Sequence, residues 1–267
     1  VTTVQAAPRI KTLVIVGNPN VGKSVLFHRL TGRYATVSNY PGTTVEVSTG
    51  TTWLAGEKWR VVDTPGVNSL MPTSEDERVT RDFLLRERPD VVLNVVDSKN
   101  LRRGLALTLE LVDYGLPLVV ALNLADEALD RGIVIDTPRL SGRLGVPLVS
   151  TVATTGDGLA ELKRALEHPT CSNVAPPDNP DIARALAALA PHFSPKAKAR
   201  RAVSLSLLAG DDTVLTWAGE LLASTSSEKS LFTAAKTARE RFAGAPRSLL
   251  FDARSGYLSE LVSDVVT

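Results

Sequence analysis

A doubly wound α/β domain followed by a small all-helical one is what this sequence predicts, on three observations. From Ile10 to about Leu166 short apolar runs alternate with amphipathic segments, as strands and crossover helices around a mainly parallel sheet require. At residues 168–181, HPTCSNVAPPDNPD, four prolines and several small polar residues can continue neither kind of element. Beyond that break the apolar residues recur every three or four positions. The expected organisation is a first domain over 1–168, a linker over 169–180 and a helical domain over 181–267.

The strands come first. Leu13 to Val16, Val45 to Val47, Trp59 to Val62, Val91 to Val96, Leu118 to Leu122 and Leu148 to Ser150 are β-branched or Leu-rich, which predicts a six-stranded sheet. Between them Leu26 and Leu30, then Leu105, Leu109 and Val112, then Leu159, Leu162 and Leu166 carry the spacing of helices packed on a sheet. In the second part the helical sets are Ile182, Leu186 and Leu189; Ala199, Val203 and Leu207; Val214, Trp217 and Leu221; and Ala253, Tyr257, Leu261 and Val265. Asp181, Asp211 and Ser227 stand where helix caps belong, so four or five helices are expected.

Composition narrows the function. With 43% apolar and 22% charged residues over 267 positions the chain has enough apolar mass for two modest cores, which excludes a disordered or fibrous protein. Thirty Lys and Arg against 29 Asp and Glu leave a net charge of +1, too little to coat nucleic acid, so no nucleic-acid partner is expected. The single Cys171 cannot form an internal disulfide, which points to a reducing compartment. His28, His168 and His192 lie too far apart for a zinc or iron site. The most apolar stretch, Leu105 to Leu122, is broken by Glu110 and Asp113 and is no membrane span. A start at Val1, with no basic and apolar leader, suggests a soluble piece of something longer. Lys196 to Arg201, KAKARR, is read as a solvated helix face, Cys171 as a surface thiol and His28 as an ordinary imidazole.

Three motifs carry chemistry, each after an apolar strand. Gly17 to Ser24, GNPNVGKS, has the spacing of a phosphate-binding loop that opens a helix. Its glycines let backbone N–H groups turn toward phosphates, Lys23 would bridge the outer phosphates, and the Ser24 hydroxyl would ligate Mg²⁺. The N–H groups of Asn18, Val21, Gly22, Lys23, Ser24 and Val25 belong to that cradle. Forty residues after Lys23, VVDTPG delivers Asp63 to a strand end, where it would hold Mg²⁺ through water, and leaves the Gly66 N–H for a γ-phosphate. Sixty residues further, LNLAD supplies Asn123 and Asp126. The Asp126 carboxylate can accept from guanine N1–H and the exocyclic amine together, whereas adenine offers a lone pair at N1 and would be repelled. Taken alone, each motif has an ordinary alternative, a glycine-rich turn, a β-turn or a helix cap; their order along one chain is what selects a P-loop GTPase fold.

The segments NYPGTTVE (39–46), DTPGVNSL (63–70) with the following PTSEDERVTRDFLL, NLADEA (123–128) and the terminal FDARSGYLSELVSDVV resemble the ferrous iron transport protein B family, FeoB. The resemblance covers nearly the whole chain and is weakest between Pro176 and Arg247. It implies the cytosolic amino-terminal part of a transporter, a GTP- and GDP-binding G domain followed by a helical domain that favours the GDP state. It further implies that Thr44 ligates Mg²⁺ when GTP closes the first switch, that Gly66 begins the second switch, and that Asn20 helps hold a K⁺ ion where other GTPases receive an arginine finger.

Val67 stands where Ras-type enzymes place the glutamine that orients the attacking water, so intrinsic turnover is expected to be slow. Leu124 replaces the lysine common in the base-binding motif. In the last base-contacting loop TVATT (151–155) replaces the usual S-A-K, leaving the Ala153 N–H to meet guanine O6 from a less braced loop.

The resulting expectation is a Mg²⁺-dependent, K⁺-activated GTPase that regulates ferrous iron uptake from the cytoplasmic side of a bacterial inner membrane. The expected partners are a membrane-embedded transport domain of the same polypeptide, small Feo accessory proteins and a second copy of the chain. Two other readings stand beside it: a soluble GTPase of ribosome assembly or tRNA modification, and a nucleotide sensor without catalysis. The aromatic residues of 181–267 form no stripe of the kind RNA would need.

Overall fold

The computed structural model describes residues 9–32, 35–242 and 244–267; the expected start of the first domain, residues 1–8, lies outside them. In chain order the first part comprises β1 (Lys11–Gly17), α1 (Lys23–Thr31), β2 (Ala35–Asn39), β3 (Glu46–Leu54), β4 (Glu57–Asp63), α2 (Glu75–Glu87), β5 (Val91–Asp97), α3 (Leu101–Asp113), β6 (Leu118–Asn123), α4 (Ala125–Asp130), α5 (Thr137–Leu144), β7 (Leu148–Ser150) and α6 (Leu159–Glu167). After an irregular connection come α7 (Pro180–Leu189), α8 (Arg200–Leu208), α9 (Leu215–Ala218), α10 (Glu228–Arg239) and α11 (Pro246–Val265). Among the described residues no helix is long and apolar enough to cross a membrane.

The sheet order is β2-β3-β4-β1-β5-β6-β7, parallel from β4 through β7 and antiparallel at the β2-β3-β4 edge. It therefore has seven strands, not the expected six. The added strand, ATVSN, is exposed at every residue, so neither face left an apolar alternation to read. The second expected strand also runs on to Leu54 through the polar STGTT, because Gly50 lets α1 lie against it: a Cβ there would sit 2.8 Å from Thr31 Cγ2. Helix α2 follows from Ser74, whose side chain accepts from the Glu77 N–H, and from the acidic first turn at Glu75, Asp76 and Glu77.

Side-chain alternation along the strands divides the core. Leu13 and Ile15 of β1, with Leu93 and Val95 of β5, face α1 and α6; Val14 and Val16, with Val92 and Val96, face α3 and the helical part beyond it. The apolar cluster on that second face continues without a break into Val203 and Leu207 of α8 and Leu258 and Leu261 of α11. The caps partly follow expectation. Ser227 forms a reciprocal capping box with Ser230, and Asp211 caps a single 3₁₀ turn. Asp181 does not cap α7: Asn179 does, accepting from the Asp181 N–H at 2.9 Å, because Pro180 suits the first helical position.

Ion pairs, fully buried at Arg81 and half-buried at Arg201, also join the two parts. Arg81 of α2 is fully buried against Asp82 and Asp211, with Thr213 Oγ1 at 3.0 Å. Arg201, the last residue of KAKARR, bonds Asp113 at 2.6 Å and Asp178 at 2.7 Å, so the end of that run is an interface rather than a solvated face. Removing one partner of such a pair strands the other charge in the interior, so Arg81→Leu should lower unfolding stability by about 3–5 kcal/mol. Urea denaturation followed by circular dichroism would show it; a change under 1 kcal/mol would mean that Asp211 finds water.

Candidate functional site

Strand register assembles the site. Beside central β1, Ile15 is level with Asp63 and Gly17 with Val95, so the phosphate loop and Asp63 leave the sheet together at its carboxyl edge, where α/β sheets bind ligands. Gly17 is required because a Cβ would lie 2.4 Å from the Val95 carbonyl. Gly22 has φ 89°, and a Cβ there would strike the Asn123 amide. Asn20, also left-handed at φ 63°, is exposed at the loop tip, a conformation asparagine tolerates better than most residues.

Inside this loop Lys23 is only 7% exposed, and its ammonium donates to the Asn18 carbonyl at 3.1 Å. An ammonium carries three donors, so two are left for oxygen ligands above the loop. Burial pulls the Lys23 pKa down, and the nearby Asp63 carboxylate opposes that fall. Asp63 itself is 8% exposed; burial pushes its carboxyl up, against the hydrogen bond from Ser24 and the charge of Lys23. Ser24 Oγ donates to Asp63 Oδ2 at 2.8 Å, while Asp63 Oδ1 is buried with no partner among the described residues. A hydroxyl and a carboxylate with one unused oxygen fit a hard divalent cation such as Mg²⁺, which takes one or two protein oxygens and completes its shell with phosphate and water.

The segment after Asp63 lies on the loop. Thr64 Oγ1 donates to the Ile15 carbonyl at 2.9 Å, the Val67 N–H to that of Gly17 at 3.1 Å, and the Asn18 amide to that of Val67 at 3.0 Å. A Cβ on Gly66 would lie 2.8 Å from Pro19 Cα, so only glycine permits this approach, and the Gly66 N–H donates no hydrogen bond among the described residues. Val67 is buried in the apolar core and offers nothing to a water above the phosphates. Thr44 is not brought to the cation oxygens: it is exposed in the β2–β3 connection, between Thr43, which donates to the Tyr40 carbonyl at 3.0 Å, and Val45, whose N–H donates to Thr43 Oγ1 at 3.2 Å.

Asn123 proves to be the hub that ties the 151–155 loop to the phosphate loop. Its amide donates to the Val21 carbonyl at 2.9 Å, and its Oδ1 accepts from Thr151 Oγ1 at 3.1 Å and from the Ala153 N–H at 3.0 Å. The Ala153 N–H is thus engaged by Asn123 here. The loop at 151–155 is also better braced than its sequence suggests, since Arg29 of α1 donates to the carbonyls of Ala153, at 3.0 Å, and Thr154. Nothing in the motif spacing pointed to Arg29, which reads as a surface residue of an amphipathic helix. Leu124 adopts φ 60°, turning the chain between buried Asn123 and Asp126, which is exposed in the first turn of α4 without a bonding partner among the described residues.

Comparison with known proteins agrees with this geometry. The sequence pattern described as "Ferrous iron transport protein B" matches residues 11–166, and that of the "FeoB cytosolic helical domain" matches residues 179–267. The Fe(2+) transporter FeoB of Escherichia coli K12 is 38% identical over 223 residues, covering 78% of this chain and 28% of that protein. A Porphyromonas gingivalis Fe(2+) transport protein A/FeoB fusion is 48% identical over 151 residues, covering 56% of this chain and 18% of that one. The chain thus spans less than a third of the length of these curated relatives. Among solved structures, a GDP-bound mutant of the S. thermophilus FeoB G-domain superposes with TM-score 0.82 at 30% identity, covering 97% of this chain and all of that one. The cytosolic domain of L. pneumophila FeoB gives 0.82 at 30%, covering 96% and 100%. The fold is that of a P-loop GTPase followed by a helical domain, and the chain belongs to the ferrous iron transport protein B family.

Proposed function

We propose that this chain binds GTP, hydrolyses it slowly, and serves as the regulatory part of a ferrous iron transporter on the cytoplasmic side of the membrane, coupling its switch loops to a membrane-embedded domain of the same polypeptide. The observation that carries this reading is the cluster at the sheet edge: a buried lysine with free donors beside a buried aspartate with one unused oxygen and a serine hydroxyl. Lys23 and the loop N–H groups neutralise and orient the β- and γ-phosphates; Ser24 and Asp63 hold Mg²⁺, joined by Thr44 when the first switch closes; the Gly66 N–H takes the γ-phosphate. Bound Mg²⁺ would offset charge on the phosphate oxygens. Asp126 selects guanine, and Asn123 ties the base loops to the phosphate loop. The helical part, joined to α2 and α3 by Arg81, Arg201 and Arg254, is suited to bias the nucleotide state. The match of residues 179–267 to a FeoB helical domain favours this over an RNA-directed GTPase.

Because Val67 cannot orient water, a cation near the β- and γ-phosphates, held by exposed Asn20, supplies what an arginine finger supplies elsewhere. Phosphate release should therefore be specific for GTP over ATP and about tenfold or more faster in KCl than in matched NaCl, and Asn20→Ala should bring the KCl rate down to the NaCl rate. Turnover indifferent to K⁺ would remove the cation role, equal use of ATP would remove the role of Asp126, and no release above background would leave a sensor without catalysis.

A further inference from the structure

One cluster outside the nucleotide site, half-buried at Ser69 and Glu110 and buried at Asp113 and Arg254, is incompletely bonded. Glu110 of α3 accepts from Ser69 Oγ at 3.0 Å and from the Leu70 N–H, so it pins the segment that follows Gly66 onto α3. One turn along the same face, Asp113 has both oxygens occupied, one by Arg201 and the other by Arg254 Nη2 of α11 at 2.6 Å. The remaining Arg254 nitrogens, Nε and Nη1, are buried with no partner among the described residues. An unpaired guanidinium edge in the interior is costly, and no carboxylate among the described residues meets it: Asp113 holds Nη2, and Glu110 holds Ser69 and Leu70. Burial pushes the Glu110 carboxyl up to about 7, while the Leu70 N–H, Arg254 and Ser69 hold it down and Asp113 adds to the rise. Glu110, Ser69 and Arg254 also line a cleft of about 920 Å³ between the switch segment, α3 and α11, which gives Ser69 and Met71 room to leave α3.

We propose that Glu110 is a positioning residue for the second switch, exchanging Ser69 and Leu70 for the free edge of Arg254 when a γ-phosphate draws Gly66 away. The inference rests on the GTP-binding reading above and supplies its route to the helical part. In the arrangement seen here the carboxylate restrains the switch and Arg254 goes without. In the other, the switch is released and a charge-assisted pair forms between α3 and α11, so the movement of one loop is felt by the last helix. Both arrangements satisfy Glu110, and only the second satisfies Arg254.

The test is the ratio of affinities for GDP and a non-hydrolysable GTP analogue, measured with fluorescent nucleotides on the folded chain in Mg²⁺. Arg254→Met removes the Asp113 pair from both arrangements and the Glu110 pair from the released one alone, so it should weaken the analogue about tenfold relative to GDP. Ser69→Ala removes a donor of the restrained arrangement only and should strengthen it about threefold. In a Glu110→Gln background, with the shared partner neutral, both shifts should shrink toward unity. A merely structural role would move the two nucleotides together. Arg254→Lys serves if the methionine variant does not fold, because it keeps a cation against Asp113 but lacks the second donor edge, and it should shift the ratio in the same direction. Shifts of the same sign for Arg254→Met and Ser69→Ala, no shifts, or shifts that persist undiminished with Glu110→Gln would overturn the exchange. A wild-type chain that binds neither nucleotide would instead overturn the GTPase reading, and this inference with it.

Discussion

Lys23→Ala should abolish nucleotide-dependent behaviour while leaving the fold intact, with kcat/KM for GTP down by roughly 10³. The physical reason is that Lys23 is the one cation of the phosphate loop and is held where water screens it poorly: it is 7% exposed, bonded to the Asn18 carbonyl and aimed by a helix that begins at the same residue. Its removal also leaves the buried Asp63 carboxyl without the cation that opposes its upward shift, so cation binding should weaken together with phosphate binding. The loss should appear as an affinity too weak to titrate with a fluorescent GTP analogue, against an unchanged circular dichroism spectrum. Retention of even a tenth of the wild-type kcat/KM would mean that backbone N–H groups carry the phosphates and that Lys23 is structural.

Asp126→Asn should exchange base preference instead of destroying binding. Its carboxylate is suited to the two adjacent donors of guanine; an amide presents one acceptor and one donor, so its NH₂ would face the exocyclic amine of guanine, whereas xanthine offers a carbonyl there. A polar site that leaves buried groups mismatched discriminates by roughly 10⁴, so a fall of about 10³ in GTP affinity with a matching gain for XTP is expected. Asp126 is exposed and without a partner among the described residues, so stability should stay within about 0.5 kcal/mol of wild type. Competition of GTP and XTP for one fluorescent nucleotide reads both effects, and unchanged GTP affinity would move base selection elsewhere.

The contrast with Asn123 shows what could and could not be read from the chain. Both residues belong to one four-residue motif, and its spacing after an apolar strand marks them equally. Only the folded molecule separates them: Asn123 is buried and bonds Val21, Thr151 and Ala153, so its amide holds loops together, whereas Asp126 is exposed and has no partner among the described residues. Thr44 makes the same point, since the family resemblance implies a place at the cation and the structure leaves it exposed in the β2–β3 connection. The edge strand Ala35–Asn39 left no trace because both its faces are in solvent, and the brace from Arg29 left none because a helix-surface arginine looks alike whether or not a carbonyl awaits it.

By itself the sequence determined the doubly wound class and the phosphate loop, and it marked Asp63 and Asp126 as the carboxylates for which a cation and a base are proposed. Each of these depends on residues a few positions apart: apolar period, glycines at turns, and a polar group at a strand end. Tertiary structure alone decided that Arg81 meets Asp211, that Arg201 and Arg254 share Asp113, and that Glu110 grips Ser69 and Leu70 while an arginine edge beside it stays empty. Those partners are separated by about 40 to 140 residues and, apart from the Leu70 backbone, are polar types that favour the surface. Which of them are buried together depends on how α3, α8 and α11 pack, because only that packing removes the water that would otherwise make such charges indifferent to one another.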